Sequence, residues 1–316
     1  MARPDPKDVR RVANVGGGPI GGGWSAHFLA HGYEVKTYVH DAAEEAPLRA
    51  LVETAWKNLQ VLGVPDGVSP DDMTCTTNLE EAVGDAEFVQ ESVPENLELK
   101  QGLYERLGQL VPQDVIIASS TSGLSMTDIQ ARCATPERTV VAHPFNPPYL
   151  LPLVEMIGGK KTDPEAVIWA ADFYRLSGKA PLIMEKELPG FIATRLQEAL
   201  WREALHMVAN GEATVEQIDD AIVYGPGPRW AVMGPCMAFH AASGEGGMAH
   251  NLDHFGPALK LPWTRLEAPE LTQELRDAMV DGCDREAAGR NFETLAAQRD
   301  AGLVAIAKAL RDLDGS

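Results

Sequence analysis

The stretch VANVGGGPIGGGW, residues 12–24, decides how this chain folds. Small and β-branched residues run into Gly16, Gly18 and Gly21, which have the GxGxxG spacing of a dinucleotide-binding turn between a strand and a helix. The first glycine allows the tight turn, the second lets the backbone approach a pyrophosphate, and the third lets the helix pack on the sheet. A flexible glycine loop is the alternative, but the flanking pattern favours strand, turn and helix. We expect the cofactor to contact Gly16, Gly18, Pro19, Ile20 and Gly21.

The composition is that of a globular protein with two domains. The chain has 316 residues, 45% of them hydrophobic, and this is enough for a large core. It contains no apolar run of 18 residues, and its first residues, MARPDPKDVRR, lack the apolar region of a secretory signal. The four cysteines are scattered without CxxC spacing, which argues against a zinc site or a disulfide framework. We therefore expect a cytoplasmic protein without metal or membrane contacts.

The formal net charge of −19 limits the partners of the chain. Nucleic acid is excluded, because its phosphates would be repelled. The charge also weighs against a polyanionic substrate such as a coenzyme A thioester, and it favours a small neutral or cationic substrate. The alternative is that the acidity serves only solubility.

Strand and helix patterns alternate after the glycine turn. This alternation predicts an N-terminal NAD-binding domain, residues 1–187, with a doubly wound, mostly parallel Rossmann-type sheet. The predicted strands cover residues 33–39, 86–90, 115–119 and 139–142, and the predicted helices cover 24–30, 48–62, 91–107 and 126–133.

The pattern changes at Leu188-Pro189-Gly190. Apolar residues recur at helical spacing over 191–208, and the segments 214–224 and 269–313 also read as helices. We therefore expect a C-terminal all-helical domain for substrate binding and dimerisation, residues 188–316. Its many apolar faces favour a homodimer.

The cofactor is predicted to be NAD. A dinucleotide fold places an acidic residue at the end of its second strand to bind the adenosine ribose, and here Asp41 follows Val39 and His40. The absence of arginine between residues 36 and 45 disfavours the 2′-phosphate of NADP. Glu95 and Lys100 are expected on the cofactor side of the sheet, although a solvated helix face is the commoner explanation for such residues.

Three residues at the carboxyl edge of the sheet could perform chemistry. His143 ends a strand, and Glu155 lies within the apolar run LLPLVEMI, where a carboxylate needs a partner. A hydrogen bond between them would fix the tautomer of the imidazole and leave its other nitrogen to accept a proton from an alcohol. Ser122 follows the preceding strand. Singly, the three could be a strand-end histidine, a local ion pair and a helix cap.

The joint spacing of these three residues resembles that of the 3-hydroxyacyl-CoA dehydrogenase superfamily. The resemblance covers almost the whole chain, and it is strongest to the branch that oxidises the 3-hydroxyl of L-carnitine with NAD. It runs through SSTSGL (119–124), HPFNPPYLLPLVE (143–155), PGFIATRLQEALWREAL (189–205), GPGPRWAVMGP (225–235) and SGEGGM (243–248).

The resemblance implies the roles of the site residues. His143 would accept the hydroxyl proton while hydride passes to the nicotinamide, Glu155 would stabilise the imidazolium, and Ser122 would bond the reacting oxygen. A trimethylammonium group suits an aromatic face, and an arginine suits a carboxylate. The implied substrate contacts are Ser122, Phe145, Asn146, Thr194, Arg229, Trp230 and Phe239.

Departures from the family pattern suggest a reshaped substrate pocket. Val39 replaces the acidic residue of the second strand, Thr194 replaces an asparagine or aspartate, and the side chains near Val232 and Cys236 are small. We therefore expect a larger pocket, so that another small 3-hydroxy acid such as L-gulonate is the alternative substrate. A non-catalytic, crystallin-like NAD-binding protein is the second alternative.

Overall fold

The computed structural model describes residues 3–231, 233–243, 247–255 and 288–314, with residues 264, 270, 272–275, 277 and 280 between them. The chain divides into two compact units, Met1–Thr194 and Arg195–Ser316. Val232 and residues 244–246, which the sequence motifs include, lie outside the described residues.

The first unit is built on an eight-stranded sheet with the order β3-β2-β1-β4-β5-β6-β7-β8. Neighbouring strands are parallel except β6 and β7, which are antiparallel. The prediction of a mostly parallel, doubly wound sheet is confirmed. The strands are β1 (Arg11–Val15), β2 (Glu34–Tyr38), β3 (Thr74–Thr76), β4 (Phe88–Glu91), β5 (Ile116–Ser119), β6 (Thr139–Pro144), β7 (Leu153–Gly158) and β8 (Ala180–Ile183).

Helices cover both faces of this sheet. On one face α1, α2 and α6 enclose buried aromatic rings, among them Trp24, Phe28 and Phe173. On the other face α3, α4 and α5 pack on a core that is mostly aliphatic. The helices are α1 (Pro19–Ala30), α2 (Glu45–Leu62), α3 (Leu79–Val83), α4 (Leu97–Leu110), α5 (Met126–Ile129) and α6 (Pro164–Leu176).

Two helices of the first unit begin five or more residues away from their predicted starts. α1 begins at Pro19 rather than Trp24, because proline fits the first helical position, where its missing N–H is not needed. α4 begins at Leu97 rather than within 91–96. Asn96 caps it by accepting a hydrogen bond from the amide of Leu99 at 3.0 Å, so the residues between β4 and Asn96 form a loop.

The described residues of the second unit are helical and include no strand, as predicted for the C-terminal half. The helices are α7 (Ala193–Ala209), which begins in the first unit, α8 (Val215–Val223), α9 (Gly227–Trp230), α10 (Pro235–Ala242), α11 (Gly247–Phe255) and α12 (Phe292–Asp314). The stretch predicted as helical, 269–313, is described continuously from Ala288, and α12 begins within it at Phe292. No helix in the described part of the chain has the length and apolar character needed to span a bilayer.

A methyl group at Gly21 should destabilise the first unit. A Cβ there would run into the carbonyl oxygen of Gly16, which is backbone and cannot move aside cheaply. We expect Gly21→Ala to cost about 2 kcal/mol, which corresponds to a fall of roughly 4 °C or more in Tm without cofactor. Gly18→Ala is the matched control, because a Cβ at Gly18 would meet nothing within 4 Å. Equal Tm values for the two variants would contradict this packing.

Candidate active site

The glycine turn exposes its backbone at the place where a dinucleotide would bind. Gly16 has a positive φ of 121°, and a Cβ there would lie 2.7 Å from the carbonyl oxygen of Ser92. A Cβ on Gly18 would meet no atom within 4 Å, so this part of the turn is accessible to a ligand. α1 follows at Pro19, and the first amides of a helix have no partners within it. The turn therefore fits the pyrophosphate of NAD, which a helix N-terminus stabilises.

Two carboxylates lie beyond the end of β2. Asp41 is exposed and accepts a hydrogen bond from the amide of Ala43 at 2.8 Å. Glu44 accepts one from the amide of His40 at 3.2 Å, and its Oε2 lies 3.8 Å from the Cβ position of Gly17. The buried Val39 packs beside the same glycine. Sequence reasoning proposed Asp41 and did not consider Glu44, whose approach to the glycine turn depends on the turn after β2.

His143 and Glu155 form a buried pair, as their sequence context predicts. They are direct partners in the antiparallel register of β6 and β7, where opposite side chains stand close together. His143 Nδ1 lies 3.0 Å from Glu155 Oε2. The glutamate is completely buried and the histidine is 7% exposed. Since a neutral imidazole bonded to a carboxylate through Nδ1 carries its proton there, Nε2 is the nitrogen that can accept a proton.

The other oxygen of Glu155 is held by backbone at the start of α7. Oε1 accepts hydrogen bonds from the amides of Ile192 at 2.9 Å and Ala193 at 2.7 Å. Burial raises the pKa of the Glu155 carboxyl, but the hydrogen bonds from His143, Ala193 and Ile192 outweigh burial and leave the pKa below its usual value. The carboxylate is therefore ionised and can stabilise a positively charged imidazole.

Phe191 shapes this arrangement. Its backbone is left-handed, with φ of 49°, a conformation uncommon for a bulky residue outside functional sites. Its ring is buried and lies 5.5 Å from the imidazole of His143 between centroids, and Phe145 lies at 5.3 Å. Sequence reasoning missed the amides of Ile192 and Ala193, since no side-chain pattern marks a backbone donor. The proline and glycine that precede Phe191 are the only local sign of a turn there.

Ser122 lies on an exposed loop after β5, and Glu95 holds that loop. Glu95 Oε1 accepts hydrogen bonds from the hydroxyl of Thr121 at 2.6 Å and the amides of Ser122 at 3.0 Å and Gly123 at 3.1 Å. Burial raises the pKa of Glu95, but the bond from Thr121, the charge of Lys100 and the two amides lower it below its usual value. β5 is the parallel neighbour of β6, so this loop and His143 leave the sheet at the same edge.

Lys100 reaches the same edge from inside the protein. It is 1% exposed, so the solvated-face interpretation is wrong for this residue. Its Nζ lies 2.6 Å from Glu91 Oε1 and donates to the carbonyl oxygen of Val93 at 3.2 Å. The other oxygen of Glu91 accepts from the hydroxyl of Ser119 at 2.6 Å. The ammonium group thus braces the loop between β4 and α4, which carries Glu95.

The remaining predicted substrate contacts fall in two places. Phe145 and Asn146 come directly after β6, which ends one residue beyond His143, and Thr194 lies in the first turn of α7. Arg229 and Trp230 belong to α9 and Phe239 to α10, all within the second unit. There Arg229 and Phe239 are exposed, as is the neighbouring Cys236.

The chain is similar over most of its length to known dehydrogenases. Models of the NAD-binding and C-terminal domains of 3-hydroxyacyl-CoA dehydrogenase match residues 11–188 and 190–282. The L-carnitine dehydrogenase of Streptomyces coelicolor is 60% identical, over 96% of each chain. That of Oceanobacillus iheyensis is 49% identical, over 96% of this chain and 99% of the relative.

Among solved structures, the chain resembles 5-formyl-3-hydroxy-2-methylpyridine 4-carboxylic acid 5-dehydrogenase, an NAD+-dependent dismutase. The TM-score is 0.80 at 30% identity, covering 96% of this chain and 99% of that one. FadB2 of M. tuberculosis gives a TM-score of 0.67 at 28% identity, with coverage of 87% and 95%.

Replacing Glu155 should change how stability depends on pH. Because its folded-state pKa lies below the ordinary 4.5, the carboxylate contributes stability above that value and loses it as pH falls through the folded-state pKa. We expect Glu155→Gln to cost about 1–3 kcal/mol at pH 7, and the difference from wild type to shrink below pH ~4.5.

Urea denaturation at several pH values measures this difference. Glu53→Gln, at an exposed position of α2, is the control and should stay within about 0.5 kcal/mol of wild type throughout. A cost for Glu155→Gln that does not vary with pH would contradict the ionised carboxylate.

Proposed function

This chain belongs to the 3-hydroxyacyl-CoA dehydrogenase family, and we propose that it oxidises the 3-hydroxyl of L-carnitine to 3-dehydrocarnitine. It is an NAD-dependent dehydrogenase. The observation that carries the proposed substrate is the 46–60% identity to L-carnitine dehydrogenases over 92–99% of the chain. The buried pair of His143 and Glu155 supplies the proton acceptor that oxidation of an alcohol requires.

In the proposed mechanism His143 is the general base. Its Nε2 takes the proton of the substrate hydroxyl, and the ionised Glu155 stabilises the resulting imidazolium through Nδ1. Ser122 donates a hydrogen bond to the same substrate oxygen. Glu95 positions Ser122 by accepting a hydrogen bond from its backbone amide. Bound NAD supplies the acceptor for the hydride that leaves the alcohol carbon.

The cofactor would be held at the glycine turn, by Gly16, Gly18, Pro19, Ile20 and Gly21. Asp41 and Glu44 are the carboxylates available for the adenosine ribose at the end of β2. Glu95 is proposed to lie on the cofactor side of the sheet, and the buried Lys100 to act there through Glu91 and the loop that carries Glu95.

The second half of the chain, residues 188–316, is proposed to bind the rest of the substrate and to form a homodimer. Trp230 and Phe239 offer aromatic faces for a trimethylammonium group, and Arg229 offers a partner for a carboxylate. The exposed apolar side chains of α7, Leu196, Leu200 and Trp201, suit burial against a second copy. Cys75, Cys133 and Cys236 are free thiols, which fits a cytoplasmic setting.

The substrate is tested by following NADH formation with L-carnitine, L-gulonate and 3-hydroxybutyrate, each with NAD and with NADP. We expect kcat/KM for L-carnitine with NAD to exceed that of every other pair by at least about 100-fold, or nearly 3 kcal/mol of transition-state binding. A preference for L-gulonate would instead favour the alternative substrate and the reshaped pocket. Binding of NADH without turnover of any substrate would indicate a crystallin-like protein.

Removing the base should abolish turnover and spare cofactor binding. We expect His143→Gln to lower kcat by about 100-fold or more, because the glutamine amide still donates to Glu155 but cannot accept the proton at Nε2. The dissociation constant of NADH, measured by its fluorescence, should stay within about twofold of wild type. His31→Gln, at the far end of α1, is the control for loss of a histidine. Unchanged turnover in His143→Gln would refute this role.

A further inference from the structure

The hydroxyl of Ser120, two residues before Ser122, has its hydrogen bonds fixed by its neighbours. The indole N–H of Trp24 donates to Ser120 Oγ at 3.2 Å, and the side-chain amide of Gln90 donates to it through Nε2 at 2.9 Å. The hydroxyl of Tyr174 donates to Gln90 Oε1, which turns the amide nitrogen of Gln90 toward Ser120. Both lone pairs of Ser120 Oγ are therefore occupied.

Among the described residues, the hydroxyl proton of Ser120 has one acceptor. Ser92 Oγ lies 2.9 Å away, so Ser120 donates and Ser92 accepts. The Ser92 hydroxyl keeps its own proton, for which no acceptor is found among the described residues. Ser92 is half-buried, so part of this residue is open to a ligand.

Ser92 lies directly beside the glycine turn. Its amide continues the sheet by donating to the carbonyl oxygen of Val15 at 2.8 Å. Its own carbonyl oxygen lies 2.7 Å from where a Cβ on Gly16 would be. The donor thus stands at the carboxyl end of β4, one strand away from the turn that follows β1.

The order of the strands places Ser92 beneath the path of the cofactor. The pyrophosphate belongs at the turn after β1, and the reactive ring must reach His143 at the end of β6. Between them lie only the ends of β4 and β5, which carry Ser92 and Ser120. The half of the dinucleotide that carries the nicotinamide must cross these ends.

We propose that Ser92 is a cofactor-binding residue whose hydroxyl donates a hydrogen bond to an oxygen in the nicotinamide half of NAD. That oxygen belongs to the pyrophosphate or to the adjoining ribose. Ser120, fixed by Trp24 and Gln90, orients the Ser92 hydroxyl by donating to it. The inference rests on the proposed placement of NAD and is independent of the identity of the alcohol substrate.

The test measures binding of four ligands to wild type and Ser92→Ala, by NADH fluorescence and by calorimetry for ADP-ribose, ADP and AMP. We expect the variant to bind NADH and ADP-ribose about 5- to 10-fold more weakly, as for loss of one hydrogen bond. AMP should bind equally well to both proteins. A matching loss with ADP identifies the pyrophosphate as the acceptor, and an unchanged affinity for ADP identifies the ribose.

Two further variants separate binding from folding. Ser92→Thr keeps the hydroxyl and should retain NADH affinity within about twofold. Ser69→Ala removes the hydroxyl of another half-buried serine, which caps the short helical turn Pro70–Asp72 before the outermost strand β3. This variant should leave NADH affinity unchanged. Thermal denaturation verifies that each variant is folded.

The proposal is overturned if Ser92→Ala binds NADH as tightly as wild type, or if AMP binding weakens as much as NADH binding. The first result would mean that water alone receives the proton, and the second that the glycine turn is distorted. Since no alcohol substrate is present, a protein that binds NADH in the expected pattern but does not oxidise L-carnitine would contradict only the proposed substrate.

Discussion

A carboxylate without solvent must be satisfied by donors, and the site is arranged around Glu155 for that reason. One oxygen of Glu155 accepts a hydrogen bond from the Nδ1–H of His143, and the other accepts hydrogen bonds from two backbone amides at the start of α7. With fewer donors the buried group would hold a proton of its own and could not stabilise a charged imidazole. The ionisation of Glu155 thus depends on two features: the tautomer of His143 and the course of the chain at residues 191–193.

The reversal of one strand makes this pairing possible. In the parallel part of the sheet, neighbouring strand ends are joined through helices, and consecutive functional residues come from distant parts of the chain. β7 instead runs antiparallel to β6, so Glu155 stands directly opposite His143. The parallel strands β1, β4 and β5 then bring the glycine turn, Ser92 and the Ser122 loop to the edge where β6 ends. A single edge carries both the proposed cofactor site and the proposed proton acceptor.

Much of the first unit could be predicted from local sequence signals. The glycine spacing and the alternation of strands and helices are properties of short segments, so they can be recognised without knowledge of tertiary contacts. The contact between His143 and Glu155 was also predictable, because a carboxylate in an apolar run needs a partner.

Other parts of the site depend on contacts that no segment encodes by itself. Lys100 looks like a surface residue, and its burial follows from the position of Glu91 on a different element. The left-handed Phe191 and the amides after it are set by the turn into α7, and Glu95 reaches the Ser122 loop only once β4 and β5 are neighbours. That the Ser92 hydroxyl accepts from Ser120, and has no acceptor for its own proton among the described residues, follows only from the donors around Ser120.

Glu155 fixes the imidazole of His143 with its proton on Nδ1, and ¹⁵N-edited NMR of the ring measures this tautomer directly. The His143→Gln spectrum assigns the resonance by its absence. In the uncharged ring of wild type, we expect a protonated Nδ1 and an unprotonated Nε2. An uncharged ring that carries its proton on Nε2 would contradict this tautomer, because that nitrogen could then accept nothing from a substrate.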